Sequence, residues 1–320
     1  MSSTTHEIVI LGGNFAGLEV VHHLFRQTLP LLKPLPKSPS YHVTLVSPST
    51  QYYFKVGAPR AIVKPNAFPQ NLLLSSIPDA LAQYGPACQF LQGKAVALEA
   101  AQRIVSVETS TGETKPLPYN SLFICTGTTS ASPLWSIHAD HTITEAAVAS
   151  MHSQLPKTKS VLIAGAGAVG VETAGEIAHN YPNAKVTLVG SVLPRLKPAT
   201  QSKAKKLLAE ARVEMVDALV KGTEQTAPNS TTVQLGNGEA RTVEMFIDAR
   251  GAHKINSDFL PGAWLDKTGR VNTRDAYFRV KGEDAGNTYV VGDIVAGSDG
   301  GEWRVVVDDS WYGEQGREAG

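Results

Sequence analysis

Hydrophobic and polar positions alternate in two rhythms along the chain. Residues 6–11, "HEIVIL", form a short β-branched run that ends at Gly12 and Gly13. Beyond it, Leu18, Val21 and Leu24 fall on one helical face. "YHVTLVS" (41–47) is a second β-type run, so the opening predicts strand, glycine turn, helix, strand, one βαβ unit with a right-handed crossover. Between its helix and second strand, "LPLLKPLPKSPS" (29–40) carries four prolines and predicts a loop.

The rhythm returns in "KSVLIAGAGAVGVETAGEIAHNYPNAKVTLVGS" (159–191), and the closing strands "HVTLVS" and "KVTLVG" read alike. After each unit come a β-rich crossover and a buried strand ending in a glycine turn. These are "SVETSTGETKPLP" with "YNSLFICTGTT" in the first half, and "STTVQLGNGEART" with "VEMFIDARGAH" in the second. "NTYVVGDIV" (287–295) is one more strand, ending in Gly-Asp. The pattern predicts an α/β protein with two Rossmann-like dinucleotide-binding domains, the second inserted in the first. The expected boundaries are 1–150 plus 268–320 for the outer domain and 155–265 for the inner one.

The chemistry follows from the turns. In such a unit the first glycine permits the bend, the second lets backbone N–H groups approach a pyrophosphate, and the third lets helix and strand pack closely. Gly165, Gly167 and Gly170 meet the Gly-x-Gly-x-x-Gly pattern in full. In the first unit Gly12 and Gly17 hold the outer places, but Asn14 stands in the middle one. Asparagine tolerates a left-handed backbone, and its amide can donate to a phosphate oxygen.

The residue closing the second strand ordinarily reads the adenosine ribose, with an acid accepting from the 2′-hydroxyl. Neither unit places an acid there: Ser47 occupies the first position and Gly190–Ser191 the second. Arg195 and Lys197 follow soon after. That favours NADPH, or use of both nucleotides, to the same degree as it fits two solvated surface cations. Glu172 and Glu176 share a helix face, and Glu172 is expected in the first turn, where the helix dipole stabilises its charge.

Composition narrows the class. Among 320 residues, 42% are hydrophobic and 18% charged, the net charge is zero and the isoelectric point is about 7.1. This is a globular composition, with no electrostatic footprint for nucleic acid. The apolar stretch "SVLIAGAGAVGV" is too short to span a bilayer. The N-terminus lacks a signal layout, and Ser2 excludes the myristoylation pattern, so the expected location is the cytosol, compatible with peripheral contact at a mitochondrial or other lipid surface. Only Cys88 and Cys125 occur, too far apart in sequence for a Cys-x-x-Cys redox pair. "HADH" (138–141) has no further ligand at metal spacing, so no metal site is expected.

With the two fingerprints, "TGT", "ARGA" and "VVGDI" together, the chain resembles the two-dinucleotide flavoproteins of the pyridine nucleotide–disulfide oxidoreductase superfamily. "GGNFAGLEV", "VTLVSPSTQYYFKVGAPRAIV" and the missing cysteine pair make it most similar to the apoptosis-inducing-factor-like and ferroptosis-suppressor-like oxidoreductases, over residues 6–296. The resemblance implies FAD in the first unit and NAD(P)H as co-substrate in the second. Hydride would pass to the flavin, and electrons to a quinone-like small acceptor. It implies that Gly12, Gly13, Asn14 and Gly17 hold the FAD pyrophosphate, with Ser47 and Arg60 beside the FAD, Thr126 and Gly127 lining it, and Asp293 bonding its ribitol or pyrophosphate region. Gly165, Gly167, Gly170 and Ser191 would serve NAD(P)H, with Glu172 near the nicotinamide and Lys55 its partner near the flavin. After "VGDI" the family continues with a helix. Here the run is glycine-rich and acidic without an amphipathic period, and is read as an altered or truncated terminus. An alternative reading is a nucleotide-binding or interaction protein derived from such an enzyme, without turnover.

Overall fold

The computed structural model describes residues 5–35, 38–69 and 72–297. The chain forms two compact units. The first comprises residues 1–52, 75–129 and 254–320, and the second residues 53–74 and 130–253. The acidic C-terminal run beyond Gly297 lies outside the described residues.

In the first unit seven strands lie side by side in the order Thr288–Val290, Ser121–Ile124, Thr5–Leu11, Ser40–Ser47, Cys88–Glu99, Ile104–Thr109, Thr114–Pro118. The first five pair in parallel and the last three form an antiparallel meander. Thr5–Leu11 pairs from Thr5 opposite Ser40 to Leu11 opposite Val46. Ile8, Val9, Ile10 and Leu11 are all buried, the continuous apolar run that a parallel strand covered on both faces requires.

The second unit carries a four-stranded parallel sheet in the order Glu214–Val216, Lys185–Val189, Ser160–Ala164, Met245–Asp248. Beside it Val220–Ala227, Ser230–Leu235 and Ala240–Val243 form an antiparallel sheet. This is the predicted α/β architecture, with the second unit inserted between segments of the first.

Two features differ from what the local pattern dictates. The segment 53–74, read as part of the outer domain, belongs to the second unit. Tyr53 is fully buried and its hydroxyl donates to Leu134 O at 2.7 Å, His152 Nε2 lies 2.7 Å from Ala61 O, and Ile62 and Val63 share a core with Val161 and Ile163. Residues 130–150 go with it, because Trp135 Nε1 donates to Asp248 O at 2.6 Å.

The second feature is the proline-rich run. The helix Phe15–His23 passes through a π-helical turn, Leu24–Thr28, into a further helical turn, Leu29–Leu32. Pro30 cannot donate, and its ring displaces the carbonyl four residues back. The wider π turn, with Leu29 N–H on Leu24 O, takes up this misfit. Burial of Leu29 holds the extension in place, so the loop begins only after Leu32.

No helix among the described residues is long and apolar enough to cross a membrane.

Candidate functional site

The two glycine turns are built alike. Gly12 N–H donates to Val46 O and Cys125 N–H to Leu11 O, each at 2.8 Å. In the second unit Gly165 N–H donates to Val189 O and Ala249 N–H to Ala164 O, again each at 2.8 Å. Gly12 (φ +113°) and Gly165 (φ +104°) occupy left-handed backbone, and a side chain on either would strike the carbonyl of Cys125 or Ala249. Gly17 and Gly170 each lie against the carbonyl of the first glycine of their own turn, where even a methyl group has no room.

The middle positions are different in kind. Gly167 is the N-cap of the helix Ala168–Asn180 and has nothing within 4 Å of where a side chain would stand. Packing does not require glycine there, and the space in front of the helix N-terminus is open. Asn14, the N-cap of Phe15–His23, has φ −108°, so the tolerance of asparagine for left-handed backbone is not used. Its side chain makes no capping bond, and its Oδ1 is buried without a donor. Gly13 is the residue that packing requires: a side chain there would press on Ser47 Cβ at 2.7 Å and Ile77 Cδ1 at 2.9 Å. Ser47 is correspondingly buried beneath the turn.

The remaining first-unit candidates gather around this turn. Gly292 (φ +90°) would put a side chain 3.0 Å from Ala16 Cβ, so the Gly-Asp turn passes beside the helix N-terminus and brings in Asp293. Arg270 Nε donates to Asp293 O at 3.2 Å. Thr126 and Gly127 are held by Asn256, a residue the motifs did not single out. Asn256 Nδ2 donates to Thr126 O at 2.8 Å, Thr126 Oγ1 to Asn256 O at 2.7 Å, and Asn256 N–H to Gly127 O at 3.1 Å. An asparagine about 130 residues from its partners leaves no periodic or spacing signal.

In the second unit a cleft of about 620 Å³ lies between residues 56–68 and the helix Ala168–Asn180. Val56, Phe68 and Val171 give it apolar walls, and Arg60, Glu172 and Glu176 give it charge. Arg60 Nε bonds Glu176 Oε1 at 2.8 Å. Lys55 sits on the short turn Lys55–Gly57 of the same unit.

The helix begins at Ala168, so Glu172 stands beyond the first turn, which carries no acid, and the expected dipole stabilisation is not available to it. Glu172 is exposed as a residue, and partial desolvation of its carboxyl, then the charge of Glu176, push its pKa up from the usual carboxylate value. Ionised Glu172 therefore weakens the folded state. The loss is present above its folded pKa and disappears as pH falls through that value. E172Q is expected to be more stable than wild type at neutral pH, with the difference shrinking in acid. Thermal unfolding between about pH 4 and 8 checks this; a difference that grows in acid would contradict it.

The sulfur and metal expectations concern single residues. Cys125 is buried and its thiol pKa is raised, and burial pushes Cys88 up to about 11, so neither supplies a thiolate at neutral pH. Asp140 caps the helix His141–Gln154 through Thr142 N–H at 2.9 Å, and His138 Nε2 lies 2.8 Å from Ser130 O. Among the described residues no cluster of three or more His, Cys, Asp or Glu could hold a metal.

Residues 6–309 match the family described as pyridine nucleotide-disulphide oxidoreductase. The chain is 31% identical over 318 residues to an oxidoreductase, phnG, of Penicillium herquei, covering 92% of this chain and 75% of that one. It is 28% identical over 304 residues to ferroptosis suppressor protein 1 of Xenopus tropicalis, covering 89% of this chain and 73% of that one. Among solved structures, the water-forming NADH oxidase of Lactobacillus brevis bound to NADH superposes with a TM-score of 0.71 at 18% identity. That match spans 91% of this chain and 62% of the oxidase, a likeness of fold.

Proposed function

Because the chain belongs to the pyridine nucleotide-disulphide oxidoreductase family, we propose that it is an FAD-dependent enzyme that takes a hydride from NAD(P)H and passes electrons to a small quinone-like acceptor. The observation that carries this reading is the pair of like-built turns, each with a helix N-terminus behind it and the middle position open or lined by an amide. Such a turn fits a pyrophosphate, because unpaired N–H groups and the positive end of the dipole face the approaching phosphates.

In the first unit Gly12, Gly13, Asn14 and Gly17 would hold the FAD pyrophosphate. Ser47, Thr126 and Gly127 would border the cofactor, and Asp293 would accept from its ribitol hydroxyls. In the second unit Gly165, Gly167 and Gly170 would hold the NAD(P)H pyrophosphate, and Ser191 would stand at the ribose. Glu172, its carboxyl pKa raised by partial burial and by Glu176, would stand near the nicotinamide at the cleft, with Lys55 on the same unit as its electrostatic partner during turnover. The flavin, when bound, supplies the capacity to take two electrons at once and deliver them onward.

The test is the absorbance spectrum of the purified protein. A flavin band that NAD(P)H bleaches without oxygen is the expected result. A protein that is colourless and cannot be reconstituted with FAD, yet still binds NAD(P)H, would replace this reading with that of a nucleotide-binding protein without turnover.

A further inference from the structure

We propose that Asp217, positioned by Ser191, selects NADH over NADPH in this chain. The proposal rests on the second unit being the NAD(P)H site.

The loop after the strand Lys185–Val189 is tied to the glycine turn. Gly190 lies at φ +133°, where a side chain would meet Ala166 N at 3.0 Å, and Leu193 N–H donates to Ala166 O at 2.8 Å. Ser191, between these two anchors, therefore occupies the place that faces the adenosine ribose when the pyrophosphate sits on the turn. No acid stands at this place in the sequence, yet the fold supplies one. Gly190 N–H donates to Val216 O at 2.9 Å, which brings the end of the neighbouring strand Glu214–Val216 alongside. The next residue is Asp217, and Ser191 Oγ donates to its Oδ1 at 2.7 Å.

The direction of that bond decides the selectivity. With the serine proton committed to Asp217, the pair offers acceptor lone pairs and a negative charge to whatever stands beside it. A ribose diol, which donates two protons, suits this arrangement. A 2′-phosphate, which carries only acceptors and negative charge, is repelled. Arg195 and Lys197, the cations that favoured NADPH in the sequence, are exposed on the following loop, as Asp217 is, so water and salt screen both signs alike; what sets Asp217 apart is the bond from Ser191 that fixes its carboxylate beside the ribose position.

The experiment is titration of the purified full chain with NADH and, separately, NADPH, followed by intrinsic fluorescence, for wild type, D217N, D217A and S191A. Wild type is expected to bind NADH about tenfold or more tightly than NADPH. In D217N and D217A the ratio should collapse toward one, with NADH weakened and NADPH strengthened. S191A, which removes the positioning bond, should lower the ratio by a smaller factor, about threefold. Thermal unfolding of each variant establishes that it is folded, and each variant reads the pair independently of the others. Tighter binding of NADPH by wild type, or an unchanged ratio in both Asp217 variants while both nucleotides bind, would overturn the proposal and leave the reading of the second unit standing. Failure of wild type to bind either nucleotide would overturn both.

Discussion

Valine at position 167 is expected to lower NAD(P)H affinity by about 100-fold, the equivalent of roughly 3 kcal/mol of steric conflict, while the protein stays folded. Nothing lies within 4 Å of the new side chain in the protein itself. Gly167 has the extended backbone of an N-cap, which valine also adopts. The change in stability is therefore limited to the poorer cap, about 1 kcal/mol. The side chain instead occupies the open space in front of the helix N-terminus, where the proposed reading places the pyrophosphate.

Alanine at position 170 is expected to behave in the opposite way. Its methyl group falls on the carbonyl oxygen of Gly165, a backbone atom held by the Gly165 N–H bond to Val189. Helix and strand must move apart, at a cost of about 3 kcal/mol, and Tm should fall by about 10 °C. Nucleotide titration and thermal unfolding of the two variants side by side separate the glycine kept for a ligand from the glycine kept for packing. Wild-type affinity in the Gly167 variant would remove the case for a pyrophosphate on this turn.

The second large effect is expected at Asn14. Aspartate there should reduce FAD affinity about 100-fold, because an ionised carboxylate would then face the phosphates that the proposed reading places on this turn. The protein should remain folded, since a carboxylate at a helix N-cap gains from the dipole part of what burial of the Asn14 oxygen position costs. Glycine at the same position removes the orphaned buried oxygen and completes the Gly-x-Gly-x-x-Gly pattern, so that variant should retain its flavin. Flavin content per chain after gel filtration measures both. An aspartate variant that keeps a full complement of FAD would show that the first turn is not where the phosphates sit.

The contrast between these turns also marks the limit of the sequence. Gly12, Gly17, Gly165 and Gly170 were legible from spacing alone, because each answers a local steric demand of strand, bend and helix. Asn14 was legible as a departure from the pattern. Its backbone conformation was not, because an asparagine can adopt either left-handed or extended backbone and the residue type does not choose between them. Glu172 was correctly placed on a helix with Glu176, but a shift in the helix start moved it out of the first turn. The proline-rich segment misled for a similar reason: one π turn carried the helix past Pro30.

By itself the sequence determined the repeated strand–glycine–helix–strand units, the buried strands that end in Thr-Gly and Gly-Asp, and the family to which they belong. These are short-range patterns, and hydrophobic period and backbone sterics act within a few residues. Only the tertiary structure decided that residues 53–74 join the second unit through Tyr53 and Ile62, that Asn256 holds the Thr126–Gly127 turn, and that Asp217 reaches Ser191 from the next strand. Each of these joins residues far apart in the chain through one buried face or one hydrogen bond. Such pairings are set by how strands align in a sheet, and they leave no period for a linear reading to detect.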